Sequence, residues 1–213
     1  MRVLVIAPHA DDETLGMGGT IARLAAEGHD VHVALMTGNG EDGPHPFVPR
    51  ADFDRVRREF DSALSALGVS RKILCDLPAV LVDREPIYKL NDVTKNVIEQ
   101  AAPERLYLPF AFDLHRDHRA LFYSFIVHCR SYLPLGRSVR EVYCYETPSE
   151  THLAAPYLEP AFVPNVFVDI SGYLDAKLAA LDCYESQAQA APLPRSRVAI
   201  EALARLRGSQ IGV

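Results

Sequence analysis

Two short stretches of this 213-residue chain crowd imidazoles and carboxylates together: Pro8-His9-Ala10-Asp11-Asp12-Glu13 and Asp113-Leu114-His115-Arg116-Asp117-His118. Histidine, histidine and carboxylate are the ligands that catalytic zinc uses, with one coordination position left for water. A metal held in this way brings the pKa of water toward neutrality and polarises a carbonyl, which suits amide hydrolysis. A carboxylate left over can act as general base, and a histidine left over can stabilise an oxyanion. The two stretches supply that inventory with residues to spare. Taken singly, Asp11 or Asp12 reads as a helix cap. A cap needs only one of them, and leaves the other and His9 unexplained. His29, His32, His45, His128 and His152 stand alone and read as ordinary surface or satisfied core histidines.

Both stretches need strands to aim them. Residues 3–7 are a uniformly apolar, β-branched run, the pattern of a strand buried on both faces of a parallel sheet. The first cluster follows directly, where open α/β sheets bind ligands at the carboxyl ends of their strands. A helix is expected over 14–27, ending at Gly28, which suits a C-terminal cap. A second buried strand follows at 31–36, then a Gly- and Pro-rich loop over 37–49, long enough to suggest contact with a ligand. Phe53, Val56, Phe60, Leu64 and Leu67 keep helical spacing. Strands at 73–77 and 105–109 flank a helix at 88–101, and the second cluster follows the last of these strands. Helical spacing resumes after His118 through Phe122, Phe125, Ile126, Cys129 and Leu133. Apolar runs at 139–145 and 163–170, an irregular excursion over 148–164, and helices at 173–186 and 197–207 complete the chain. This alternation predicts one Rossmann-like, doubly wound α/β domain over 1–213, with a mostly parallel sheet and helices on both faces.

Composition narrows the function. A hydrophobic share of 48% supports one substantial core. A net charge of -6 argues against a nucleic-acid partner, which would need clustered Lys and Arg. Arg55, Arg57 and Arg58 sit among acids as a solvated mixed-charge face. Cys75, Cys129, Cys144 and Cys183 form no C-x-x-C pair, so neither a thiolate zinc site nor a disulfide framework is expected. The apolar run at the N-terminus is too short for a signal peptide and no stretch is long enough to span a membrane, so the expectation is a cytoplasmic protein. Gly16, Gly18 and Gly19 do not make a G-x-G-x-x-G turn and fall inside the expected helix rather than at its start, which argues against a dinucleotide site.

The two clusters resemble the motifs of the PIG-L/LmbE-like zinc-dependent N-deacetylases, His-x-Asp-Asp-Glu and His-x-Asp-His. Leu15-Gly16-Met17-Gly18-Gly19-Thr20, Leu67-Gly68-Val69, and Asp169-Ile170-Ser171 with Lys177 and Tyr184-Glu185-Ser186-Gln187 are similar to the family pattern too, so the resemblance covers most of the chain. It implies that His9, Asp12 and His118 hold Zn²⁺ or another divalent transition metal. Asp11 would be the general base and later the acid for the amine, His115 the oxyanion donor, and Asp117 the group that orients or tunes His115. The implied substrate is a small N-acetylglucosamine-type sugar that loses its acetyl group; a homo-oligomer is compatible with the family. Ala10 and Arg116 stand where the family usually has proline, which bears on loop stiffness and substrate access. Arg50 resembles an arginine that holds the sugar, set against an ordinary solvated loop residue; Glu41 is a weaker contact.

Three other functions compete. An amidase acting on a glycosylated thiol conjugate would keep the same site. A non-catalytic sugar-binding module would be favoured by loss of Asp11 or a ligand, and all are present. A metal phosphoesterase would call for more ligands to hold two ions.

Overall fold

β1 (Arg2–Ala7) is the axis of the computed structural model, which describes residues 1–40 and 43–213. Val3, Leu4, Val5, Ile6 and Ala7 are wholly buried because both faces of the sheet are covered. Successive strand residues point to opposite faces. Val3, Val5 and Ala7 therefore join one core with Met17, Ile21, Phe60 and Leu64, while Leu4 and Ile6 join another with Leu90, Ile98, Leu121 and Phe125. The first core lies under α1 (Asp12–Ala26), α2 (Arg50–Ala66) and α5 (Leu174–Asp182), the second under α3 (Ile87–Ala101) and α4 (Arg116–Ile126).

With β2 (Asp30–Gly38), β3 (Arg71–Pro78), β4 (Arg105–Pro109) and β5 (Glu141–Tyr145), the sheet is fully parallel, in the order β3-β2-β1-β4-β5. Chain order runs outward from β1 in one direction through β3, then restarts on the other side with β4. The carboxyl ends of β1 and β4 are thus neighbours at the topological switch point, where such sheets bind ligands. The two polar clusters follow these two strand ends.

The apolar run at 139–145 contains β5, whereas 163–170 joins no strand. That segment is pinned at its ends instead, Phe162 against Phe110 at 5.2 Å and Ile170 against Gly19, with no ladder between them. The chain closes with α6 (Arg197–Ser209), whose Ile200 packs with Leu15, Leu178 and Leu181. Gly28 takes φ +79° just past α1, and backbone N–H groups of Gly28 and His29 close the helix on Ala25 and Leu24 carbonyls.

Gly16 is required by close approach. A Cβ there would lie 2.3 Å from Cδ2 of Tyr145, whose hydroxyl donates to the Ile6 carbonyl in the core. Neither side can give way cheaply. Gly16→Ala should lower unfolding stability by about 1–3 kcal/mol, the usual range for overpacking. Denaturant titration measures it, and an unchanged midpoint would show that Tyr145 swings aside freely.

Candidate active site

The turn after β1 is strained. Asp11 has φ 122°, rare for any residue but glycine, and such outliers cluster at functional sites. Its carbonyl accepts from the N–H groups of Thr14 and Leu15 to start α1, yet its side chain makes no capping bond and is free for another use. Glu13, fully buried, stiffens the turn by accepting from Asp11 N, Thr14 Oγ1 and Tyr184 Oη.

The same turn directs Asp12 at two imidazoles. Asp12 Oδ2 lies 3.1 Å from His118 Nε2 and 3.4 Å from His9 Nδ1. One ligand atom each from His9, Asp12 and His118 lie within 4.8 Å of one another. The far nitrogen of each ring is held by a carboxylate, His9 Nε2 by Asp117 at 3.0 Å and His118 Nδ1 by Asp113 at 2.8 Å. Such carboxylates fix the tautomer so that the near nitrogen presents its lone pair, as around metal-ligating histidines. His118 Nε2 is buried and makes no hydrogen bond by geometry, so its lone pair, 3.1 Å from Asp12 Oδ2, is available to a cation shared with that carboxylate. Electrostatics agree. Burial opposes a charge on His118, but the Asp12 charge and the Asp113 hydrogen bond raise its pKa to about 10. His9 rises to about 9 against burial, through Asp117 and Asp12, and Asp12, despite burial, is held well below the usual carboxylate range by His118 and His9. Two protons thus sit where one divalent cation would balance the same charge. The residues fit a three-ligand catalytic metal site with a position left open.

The supporting groups come from distant segments. Asp113 also accepts from Thr151 Oγ1 at 2.5 Å. Asp117 accepts from the backbone N–H groups of Val80 at 2.7 Å and Val82 at 3.1 Å, so the turn after β3 fixes its carboxylate on His9. That carboxylate is 3.9 Å from His115 Nδ1, farther than from His9.

His115 is the N-cap of α4, and its Nδ1 accepts from Asp117 N at 3.2 Å. Burial, and then the neighbouring His9, push its pKa down to about 4, so the ring is neutral at physiological pH. With Nδ1 accepting, the ring proton resides on Nε2. His115 also belongs to a second group able to hold a cation, with His9 and Asp117. There, however, Asp117 Oδ2 already accepts from Val80 N and His115 Nδ1 from Asp117 N.

Asp11 is pushed up to about 8 by burial and the Asp12 charge, against the pull of Arg195, whose Nη1 is 3.1 Å away. A cation beside Asp12 adds a further downward pull. Arg50 stands apart from this cluster. It is the first residue of α2, exposed, and lines a cavity of about 570 Å³ with Asn39, Gly40 and Pro44. Glu41 lies outside the described residues. Of the lone histidines, His45 is a loop tether: Nε2 meets the Ala79 carbonyl, and Nδ1 accepts from Phe47 and Val48. The four cysteines are free thiols.

Arg195, Asp113, Glu13 and Thr151 received no role from sequence reasoning. Asp113 had a signal, its place inside the second cluster; Arg195 had none, lying 184 residues from its partner.

Comparison with known proteins gives concordant results. The family model described as PIG-L, GlcNAc-PI de-N-acetylase, matches residues 4–128. The chain is 32% identical over 189 residues to the uncharacterized deacetylase YaiS of Escherichia coli K12, covering 86% of this chain and 90% of that one. It is 32% identical over 200 residues to the diacetylchitobiose deacetylase of Thermococcus kodakarensis, covering 87% and 70%. The crystal structure of the conserved protein TT1542 from Thermus thermophilus superposes with a TM-score of 0.74 at 26% identity, covering 100% of this chain and 90% of that one.

Proposed function

Because the chain belongs to the PIG-L family of deacetylases, we propose that it is a metal-dependent amide hydrolase that removes the acetyl group from an N-acetylglucosamine-type sugar. The observation that carries this reading is the convergence of His9, Asp12 and His118 on one point, with each imidazole backed by a carboxylate. Bound there, zinc or a similar divalent ion would acidify water and polarise the acetyl oxygen. Asp11, whose carboxylate is free of capping, takes the proton of the attacking water and returns it to the amine nitrogen as the C–N bond breaks. His115 donates Nε2–H to the oxygen on which negative charge develops. Asp117 and Asp113 hold His9 and His118 in register, and the first of them also donates its backbone N–H to His115. Arg50 contacts the sugar from the cavity beyond β2.

His115→Ala should lower kcat by about a hundredfold or more, as for loss of an oxyanion donor. Its metal content should stay at one per chain. Loss of the metal would make His115 a ligand, and a rise in KM alone would make it a binding residue.

A screen of the zinc-loaded protein against N-acetylated amino sugars, reading released acetate and free amine, tests the function directly. Turnover of N-acetylglucosamine, its glycosides or N,N′-diacetylchitobiose is the expected result. Binding of these sugars with no release of acetate would point to a sugar-binding module and sink the reading.

A further inference from the structure

The base assigned to Asp11 is gripped from the far end of the chain. Arg195 Nη1 donates to Asp11 Oδ2 at 3.1 Å and to Gln187 Oε1 at 3.2 Å. Its backbone is fixed on both sides. Arg195 N donates to Gln189 Oε1, and the next residue, Ser196, is buried and caps α6 by accepting from Ala199 N.

The remainder of the guanidinium is used less fully than in Arg207 and Arg119, and, like that of Arg57, leaves Nε without a partner. Arg207 sets Nε and Nη2 on both oxygens of Glu146, and Arg119 sets Nη1 and Nη2 on both oxygens of Glu159. Arg195 has no such fork. Its Nε is buried with no partner, and its side-chain hydrogen bonds among the described residues both come from Nη1. A buried donor without a partner weighs against a purely stabilising role, and what separates Arg195 from Arg57 is the carboxylate it reaches. The one carboxylate it reaches is the residue with φ 122° in the turn after β1. Asp11 has no capping bond of its own, so Arg195 is the only side chain that donates to its carboxylate among the described residues.

We propose that Arg195 is a positioning residue for Asp11, holding that carboxylate in the one orientation from which it can reach both the attacking water and the departing amine. The inference rests on Asp11 being the proton-transfer group. Arg195 itself stays protonated and moves no proton: water loses a proton to Asp11, its oxygen bonds the acetyl carbon, the C–N electron pair goes to nitrogen, and Asp11 gives the proton to that nitrogen.

The test combines Arg195→Ala, Arg195→Gln and Arg195→Lys with Asp11→Asn, alone and paired. On the sugar that the screen identifies, Arg195→Ala should lower kcat by about tenfold to a hundredfold, the worth of one charge-assisted hydrogen bond. KM and metal content should be nearly unchanged, and Arg195→Lys should recover part of the loss. In the Asp11→Asn background, Arg195→Ala should cost less than about twofold more, because both act through one carboxylate. Crystal structures of the metal-loaded wild type and Arg195→Gln supply a readout independent of turnover: the Asp11 side chain should leave its wild-type rotamer in the variant. An unchanged Asp11 rotamer overturns the proposal, as do a rise in KM alone and a loss that multiplies with that of Asp11→Asn. Should Arg195→Ala fold poorly, Arg195→Gln and Arg195→Lys carry the same comparison. Near wild-type turnover by Asp11→Asn by itself is the separate outcome that removes Asp11 as the base.

Discussion

Replacing Asp11 by Asn should leave one metal per chain in place and lower kcat by about a hundredfold to ten-thousandfold, the usual cost of losing a general base. The substitution keeps the size of the side chain and its place in the strained turn, so α1 still starts on the Asp11 carbonyl. What it removes is the oxygen able to accept a proton. Asp12 cannot take over. Its Oδ2 already accepts from His9 N and is hemmed in by both imidazoles, which hold it well below the usual carboxylate range despite its burial. Glu13 cannot either, since its oxygens are occupied by Tyr184, Thr14 and the Asp11 backbone. Steady-state kinetics with elemental analysis of the same preparation measures the effect. Turnover within a few fold of wild type would mean that another group moves the proton.

Loss of the His118 side chain should have the broader consequence, because it takes away a proposed metal ligand as well as a buried partner of two carboxylates. His118→Ala should bind no stoichiometric metal after dialysis and should lose about a thousandfold or more in kcat, since a metal contributes several kcal/mol to the transition state. His118 is wholly buried between Asp12 and Asp113, and its removal leaves both carboxylates short of a partner. Stability should therefore fall too, by about 3–5 kcal/mol as when one member of a buried ion pair is deleted. The two effects separate in melting experiments. Added zinc should raise the melting temperature of the wild type by mass action and leave the variant unmoved. Retention of one metal by His118→Ala, with loss on His115→Ala, would move the ion to the group formed by His9, His115 and Asp117.

Much of this was legible from the chain alone. The uniform apolar run that became β1 is buried on both faces, as a central parallel strand must be, and residues at 105–109 became β4 with the same bounds. Two boundaries differ at the site. α1 begins at Asp12, inside the first cluster, and α4 begins at Arg116, so that His118 stands in the first turn of a helix and His115 caps it. The apolar run at 163–170 forms no strand, because pattern reports only that a segment can pair. Whether an edge is there to pair with is a property of the sheet.

The sequence by itself determined the residues of the candidate site and the strand ends that carry them. Those features are local: spacings of two or three residues after a strand group the donors of each cluster, and the pairing of β1 with β4 then sets the two clusters side by side. Only the tertiary structure decided which carboxylate serves which imidazole. Asp117 lies two residues from His115 in sequence, yet its carboxylate faces His9, 108 residues away, because backbone N–H groups of Val80 and Val82 turn it there. A backbone donor has no side-chain identity to read, so no sequence pattern announces it. Arg195 was hidden for a related reason. One arginine in a proline-rich loop is like any other until the fold brings it 3.1 Å from the carboxylate of Asp11.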